Sequence, residues 1–187
     1  QAWYPGQAGG QAVAEVLFGD YNPAGKLPLT FYRNLAQIPD FEDYNMTGRT
    51  YRYMKETPLF PFGHGLSYTT FKYGKLKMND DKIAAGQNLN LVIPITNTGS
   101  RDGDEVVQVY LKKKDDTEGP VKTLRAFKRV RIPAGKTVEV KFSLDDTQLE
   151  WWDEQSNTMR VCPGNYTVMI GGTSCEKSLL SRAFTIR

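Results

Sequence analysis

Apolar and polar residues alternate along much of the chain after Thr69, with the period of β-strands that bury one face. The alternation is cleanest at Leu89–Ile95 and Val138–Leu144, where every second residue is apolar. Turns containing glycine or proline separate these segments from further strand candidates at residues 106–111, 121–132, 166–170 and 179–186. No helical pattern interrupts this series.

About seven strands over about 120 residues predict a mainly β fold: an immunoglobulin-like (fibronectin type III-like) antiparallel β-sandwich. Tyr166 follows a Pro-Gly turn, where the hydroxyl of a tyrosine corner would bond to backbone. Pro94 lies inside a strand and cannot donate to a ladder, so we expect an edge strand or a bulge there. Trp151 and Trp152 are adjacent and should face opposite sides of a strand.

The first third of the chain has a different pattern. Residues 7–18 carry apolar residues at helical spacing, and Gly19 follows where a capping glycine belongs. Residues 27–31 could form one short strand, whereas residues 32–58 show no sustained period. About 66 residues with so few elements cannot bury a proper core. We therefore expect an incomplete α/β segment that packs on the sandwich or on another chain.

Composition narrows the class of protein. The net charge of +3 is small and dispersed, so no nucleic-acid partner is expected. No apolar run approaches the roughly 20 residues that cross a bilayer, so no membrane span is expected. The chain begins at Gln1, which suggests a processed product or a piece of a longer protein. Cys162 and Cys175 flank a predicted strand too long for a disulfide to bridge, so two free thiols are expected.

Candidate catalytic groups have more ordinary explanations. His64 is the only histidine and lies between Gly63 and Gly65, so a turn residue is favoured over a metal ligand or a catalytic group. Asp40, Glu42 and Asp43 cluster in one loop, whereas glycosidase carboxylates face each other across a pocket built from distant segments. We interpret these three acids as solvated.

Candidate binding groups also favour a scaffold. One of the two adjacent tryptophans could stack on a sugar, although large aromatics in a sandwich are usually core. Lys112–Lys114 and the run Arg125–Arg131 are interpreted as strand residues with a solvated cationic face. The loop Asp115–Gly119 is a weak Ca²⁺ candidate. Asn45 and Asn165 match the glycosylation acceptor pattern, which matters only in a eukaryotic secretory route.

The order of the motifs resembles the C-terminal end of glycoside hydrolase family 3. The motifs are WYPGQAGGQAVAEVLFGDYNPAGKLPLTF (Trp3–Phe31), GRTYRY (Gly48–Tyr53), PLFPFGHGLSYTTF (Pro58–Phe71) and LRAFKRVRIPAGKTVEVKFSL (Leu124–Leu144). The resemblance implies that residues 1–66 are the last part of the family's α/β sandwich domain. It also implies that residues 67–187 are its fibronectin type III-like domain.

The resemblance implies a parent enzyme that removes terminal β-linked sugars by a retaining two-carboxylate mechanism, with no cofactor and no metal. The family's nucleophile and acid/base motifs lie upstream of Trp3, so no catalytic residue is assigned in this chain. The partners implied are the upstream catalytic domains and, for the parent, a carbohydrate. GRTYRY favours a β-xylosidase over a β-glucosidase, and Arg49 and Arg52 are expected in structural ion pairs. A periplasmic or extracellular location is expected.

The junction Leu59–Phe71 is expected to join the two parts. Gly63 and Gly65 would let the backbone turn, while Phe60, Phe62, Leu66, Tyr68 and Phe71 would bury apolar area between the domains. A second hypothesis makes the chain a stand-alone carbohydrate-binding or adhesion module. In that case Trp3, Trp151 or Trp152 would stack on glycan.

Overall fold

The structure is a computed structural model that describes residues 1–187 and is mainly β. Its helices are α1 (Gly9–Phe18), α2 (Thr50–Tyr53) and α3 (Asp146–Leu149), with single 3₁₀ turns at Leu35–Gln37 and Glu176–Ser178. Its strands are β1 (Phe71–Tyr73), β2 (Lys77–Met78), β3 (Lys82–Ile83), β4 (Leu89–Asn97), β5 (Gly103–Lys113), β6 (Thr123–Ile132), β7 (Thr137–Leu144), β8 (Trp151–Asp153), β9 (Thr158–Arg160), β10 (Gly164–Gly171) and β11 (Leu180–Ile186). No helix combines the length and apolar character that crossing a membrane requires.

Two sheets form the sandwich, as predicted. In one sheet β4 pairs with β1 and β2 along one side and with β7 along the other. The second sheet has the order β3-β11-β10-β5-β6, and all its pairs are antiparallel except β3 with β11. The strands β8 and β9 form a separate hairpin. The inner side chains include Leu91 and Ile93 of β4 and Val109 of β5, which are fully buried because they occupy every second position on the facing sides.

Tyr166 forms the tyrosine corner that the sequence predicts. The buried Tyr166 hydroxyl donates to the carbonyl of Cys162 at 2.8 Å, which confirms the expected tyrosine corner.

Pro94 lies in β4, which is a central strand, so the edge alternative for Pro94 is wrong. The ladder beside Pro94 is irregular instead: three residues separate Tyr73 from Lys77, opposite only two on β4. The carbonyl of Pro94 accepts from the N–H of Gly74 at 2.8 Å, so its missing N–H faces this irregular segment.

The first third contains less regular structure than predicted. The helix α1 begins at Gly9 rather than Gln7, and Gly19 ends it in the left-handed conformation with φ of 84°. The strand expected at residues 27–31 is wrong, because only a single bridge joins Phe31 to Phe60. The two segments do run antiparallel, but Pro28 and Pro61 supply no N–H groups and a continuous ladder cannot form.

An aromatic layer attaches this third to the outer face of the five-stranded sheet. Tyr110 points away from the sandwich core but is fully buried, because Tyr51 covers it with ring centroids 5.8 Å apart. Phe62 stacks on Tyr51 in turn, with centroids 4.4 Å apart. The expectation that the first third packs on the sandwich is confirmed. Hereafter the contact between residues 1–66 and this face is called the seam.

Hydrogen bonds and one ion pair fix the seam. The hydroxyl of Tyr51 accepts from the N–H of Leu124 at 3.1 Å. The carbonyl of Phe62 accepts from the N–H of Ser174 at 2.9 Å. Lys26 reaches the Glu105 carboxylate at 3.1 Å, and the Glu105 side chain is only 7% exposed. An ion pair this well shielded from water loses less to solvent screening than a surface pair does.

Gly63 brings the backbone of the junction against the sheet. Its φ is +78°, and a Cβ there would lie 2.2 Å from Oε1 of Gln108. Gln108 cannot easily move, because its Nε2 donates to the carbonyl of Gly172 at 2.6 Å and its Oε1 accepts from Tyr110. The junction is otherwise less buried than predicted. Leu66 is 75% exposed and Tyr68 is 47% exposed, so neither fills the seam.

Hydrogen exchange should distinguish the two parts of the chain. We expect the backbone amides of α1 to exchange faster than those of β4 and β10, because α1 buries only Gly9 whereas both strands cross the core. Mass spectrometry of peptic fragments would measure this. Equal protection of α1 and β4 would contradict it.

Replacing Gly63 by alanine should weaken the seam more than the same change at Gly48. Both glycines have positive φ, +78° and +74°, so both variants carry backbone strain of roughly 1 kcal/mol. Only Gly63→Ala adds a steric clash, which costs about a further 1–3 kcal/mol. Limited proteolysis within residues 1–66 should therefore accelerate for Gly63→Ala, while Gly48→Ala serves as the matched control. Equal rates for the two variants would show that close packing at Gly63 is unimportant.

Candidate functional site

A polar groove lies at one end of the sandwich. It has a volume of about 670 Å³ and lies between α2 of the first third and the β8–β9 hairpin. Arg52 and Tyr53 line it from α2, and Trp152 and Met159 line it from the hairpin. The groove therefore needs both parts of the chain.

The floor of the groove is built on Trp151. Its indole is 3% exposed, and Nε1 donates to Oδ2 of Asp116 at 2.6 Å. The guanidinium of Arg125 lies 5.2 Å from the centre of this ring and donates to the carbonyl of Glu150 at 2.8 Å. Burial lowers the pKa of Arg125 from its ordinary value, although a guanidinium remains charged at any physiological pH.

Two buried polar atoms of the floor have no partner within the protein. These atoms are Nε of Arg125 and Oγ1 of Thr123. Thr123 is 9% exposed, and both residues line the groove. A buried polar atom without a partner is costly, and neither of these two is open to solvent in the structure.

The rim is formed by the β8–β9 hairpin. Trp152 and Met159 are directly paired across it and are 49% and 43% exposed. Arg160 bonds to the Asp153 carboxylate at 2.8 Å. Hydrogen bonds from Ser156 hold the pKa of Asp153 below its usual range, so this carboxylate stays ionised. The opposite placement of Trp151 and Trp152 confirms the prediction from their adjacency.

Asp116, one of the acidic groups of the groove, is engaged in hydrogen bonds within the protein. Asp116 accepts from Trp151 and also from the N–H of Gly119 at 2.6 Å. Asp116 belongs to the loop Asp115–Gly119, the Ca²⁺ candidate, and its carboxylate is thus already used in hydrogen bonds to the protein. No group of three or more His, Cys, Asp or Glu side chains is placed to hold a metal ion.

His64 and the acidic loop have local roles. His64 follows the turn at Gly63, and its ring stacks on Phe60 with centroids 4.9 Å apart. Its backbone N–H closes the turn onto Pro61 at 3.0 Å. Oδ1 of Asp40 accepts from the N–H of Glu42, and Oδ1 of Asp43 accepts from Asn45. The Asn45 backbone N–H lowers the pKa of Asp43, which keeps that carboxyl ionised.

The basic residues behave partly as expected. Arg49 donates to the carbonyls of Asn45 and Asp43, and Arg52 lies over Tyr53, so the structural ion pairs expected for both arginines are wrong. In the run Arg125–Arg131, Arg129 and Arg131 bond to Asp104 and Asp102 on the exposed side of β6. Phe127 is 68% exposed rather than packed.

The sequence did not reveal that Arg125 and Thr123 belong to a groove. β6 pairs with β5 out to Ala126, after which the register shifts and Leu124 lies opposite Tyr110. Arg125 is thus the extra residue of a bulge, which turns its side chain out of the regular alternation. No residue type in the run signals this shift. Cys162 and Cys175 are both free thiols, as predicted.

A second feature is a set of large apolar side chains in the first third that are left exposed. They include Tyr4, Leu17, Phe18, Leu35, Phe41 and Tyr44, each more than 70% exposed. Leu17 and Phe18 lie in the last turn of α1, and their side chains are not covered by the rest of the chain. Single exposed apolar residues are ordinary, but these six, all within residues 4–44, show that the segment does not bury its own large apolar side chains. Hereafter these six residues are called the apolar face.

Comparison with known proteins accounts for both parts. Residues 1–68 match the model of the glycosyl hydrolase family 3 C-terminal domain, and residues 105–174 match that of the fibronectin type III-like domain. The chain is 52% identical over 186 residues to a xylan 1,4-beta-xylosidase of Xylanibacter ruminicola, covering 100% of this chain and 21% of that protein. It is 38% identical over 189 residues to the periplasmic beta-glucosidase of Salmonella typhimurium, covering 94% and 25% respectively.

Solved structures agree with this match. The crystal structure of a Bifidobacterium adolescentis GH3 beta-glucosidase superposes with a TM-score of 0.84 at 31% identity, covering 100% of this chain and 29% of that one. The chain thus spans about a quarter of the length of its relatives. These findings do not favour the stand-alone binding module, because each match lies inside a longer glycosidase. The chain belongs to glycoside hydrolase family 3, of which it is a C-terminal, non-catalytic region.

Proposed function

We propose that this region supports and positions the catalytic domains of a longer enzyme that removes terminal β-linked sugars, of the β-xylosidase or β-glucosidase type. The observation that carries the proposal is the 52% identity to a xylan 1,4-beta-xylosidase over the whole chain. The β-xylosidase alternative is preferred on that identity and on the GRTYRY segment at Gly48–Tyr53.

In this proposal both catalytic carboxylates come from outside residues 1–187. A retaining glycosidase needs one carboxylate as nucleophile and a second as acid/base, about 5–5.5 Å apart across the sugar. The acids that could be suspected here have other tasks, since Asp40 and Asp43 stabilise turns and Asp116 holds Trp151. The reaction requires no cofactor and no metal.

The apolar face is the surface through which support would be exerted. We infer that it is covered by the remainder of the same α/β domain, because the family model to which residues 1–68 belong describes a domain and this segment has no core of its own. A domain boundary at residues 66/67 remains a prediction. In that arrangement the seam would hold the sandwich in a fixed position relative to the catalytic domains.

The location of the longer protein is proposed by analogy. A relative from Salmonella typhimurium is named a periplasmic beta-glucosidase. We therefore propose a periplasmic or extracellular site of action.

The isolated chain should be catalytically inactive. We expect no turnover of nitrophenyl β-xyloside or nitrophenyl β-glucoside above the buffer rate, because in this proposal both catalytic carboxylates lie outside residues 1–187. Absorbance of released nitrophenol measures this. Robust turnover by the purified chain would overturn the assignment of catalysis to other domains.

Replacing Leu17 and Phe18 together by lysine should have opposite effects in two settings. In the isolated chain, light scattering should show less self-association, because two exposed apolar side chains are removed. In the full-length enzyme the same change should lower the unfolding midpoint, since each side chain is expected to bury area worth about 1.5–3 kcal/mol.

The matched control for that experiment is Gln7→Lys with Gln11→Lys, which adds the same charge to exposed polar positions of the same segment. Lysines at the end of α1 suit the helix dipole, whereas the control lysines lie near its positive N-terminal end, so any charge effect on α1 alone should be less favourable in the control. If the full-length enzyme tolerates Leu17→Lys/Phe18→Lys as well as it tolerates the control, the apolar face is not covered as proposed.

A further inference from the structure

We propose that the groove between α2 and the β8–β9 hairpin is a binding site for a neutral oligosaccharide. It would hold a polymeric sugar chain on the enzyme while the catalytic domains act on an end. The groove chemistry carries the choice of a saccharide, whereas the choice of β-linked xylose and glucose probes rests on the proposed function.

The charges of the groove favour an uncharged ligand. Its lining holds four basic and five acidic side chains, so the groove offers no uniformly positive potential to a polyanion and no uniformly negative potential to a cation. Several of these charges are already paired: Asp153 with Arg160, and Asp116 with the indole N–H of Trp151. A surface with neighbouring donors and acceptors suits hydroxyl groups, because each hydroxyl both donates and accepts.

Trp152 supplies the surface on which a sugar ring would lie. Its indole is 49% exposed on the rim, and the directly paired Met159 extends the apolar strip. Large aromatic side chains combine an apolar body with a polar edge, which suits a ligand with apolar faces and polar rims. Trp151 is buried and packs against Arg125. Trp151 therefore supports the groove, whereas Trp152 is exposed and can contact a ligand.

The floor supplies unused hydrogen-bonding capacity. Oγ1 of Thr123 and Nε of Arg125 are buried, line the groove and have no partner within the protein. Arg125 is held by the Trp151 ring and by the carbonyl of Glu150. Both orphan atoms are closed to solvent in the structure, so a ligand hydroxyl would reach them only after neighbouring side chains shift, and would then satisfy polar atoms that are otherwise costly to bury.

Both parts of the chain contribute to the site. Arg52 and Tyr53 close the groove from α2, and the carbonyl of Arg52 accepts from the N–H of Val121 at 2.7 Å, which fixes α2 relative to the sandwich. The groove would widen if the first third left the sandwich. The site is thus a property of the joined molecule rather than of the fibronectin-like part.

Isothermal titration calorimetry of the full 187-residue chain with xylohexaose and with cellohexaose tests the proposal. We expect saturable binding of at least one of them with a dissociation constant on the order of 1 mM. Trp152→Ala should weaken binding by about tenfold or more. Trp3→Ala is the matched control, because Trp3 is 52% exposed but does not line the groove, and it should leave binding within about twofold.

Thermal unfolding of each variant checks that the fold is retained, and Trp152→Phe, which keeps a ring, should recover part of the affinity. Three results would overturn the proposal: no saturable heat up to about 10 mM sugar, binding that Trp152→Ala leaves unchanged, or equal binding of inorganic phosphate. Because no turnover is measured, a negative result would leave the support function and its nitrophenyl glycoside test untouched.

Discussion

The packing of Tyr51 on Tyr110 is the contact on which the arrangement of this molecule depends. Tyr110 belongs to β5, whose inner side chains form the sandwich core, yet its own ring points outward and is still fully buried. Burial raises the pKa of its phenol, so the hydroxyl stays protonated and donates to Gln108. One strand therefore belongs to two layers: the sandwich on one side and the seam on the other. Each large ring buried there contributes about 1.5–3 kcal/mol.

The seam also explains why the groove exists. α2 carries Tyr51 into the aromatic layer, and the next two residues, Arg52 and Tyr53, reach the groove as a result. On the sandwich side, the bulge at Arg125 places a guanidinium over Trp151. Neither feature alone forms a concave surface. A region that supports its neighbours can thus acquire a binding surface where its two parts meet.

The sandwich was predictable because burial on one face imposes a period of two on the sequence. Residues such as Leu91 and Val140 reveal their strands without any knowledge of their partners. What failed depends on partners: Pro94 is central because β1 and β2 pair beside it, and residues 27–31 form no strand because prolines interrupt both segments. The groove was not predictable, since Thr123 and Arg125 enter it through a register shift that local sequence does not encode. Trp152 was identified only as one of two alternatives.

The close packing at Gly63 limits the segments with which the fibronectin-like part can be combined. Because the junction backbone lies against Gln108 with no room for a side chain, the outer face of β5 is shaped for this one segment. Detaching the sandwich would expose the apolar ring of Tyr110 to water and would break the hydrogen bond that the Tyr51 hydroxyl accepts from the amide of Leu124. The fibronectin-like part is consequently a poor candidate for shuffling between unrelated proteins. It should be inherited only with the segment that precedes it.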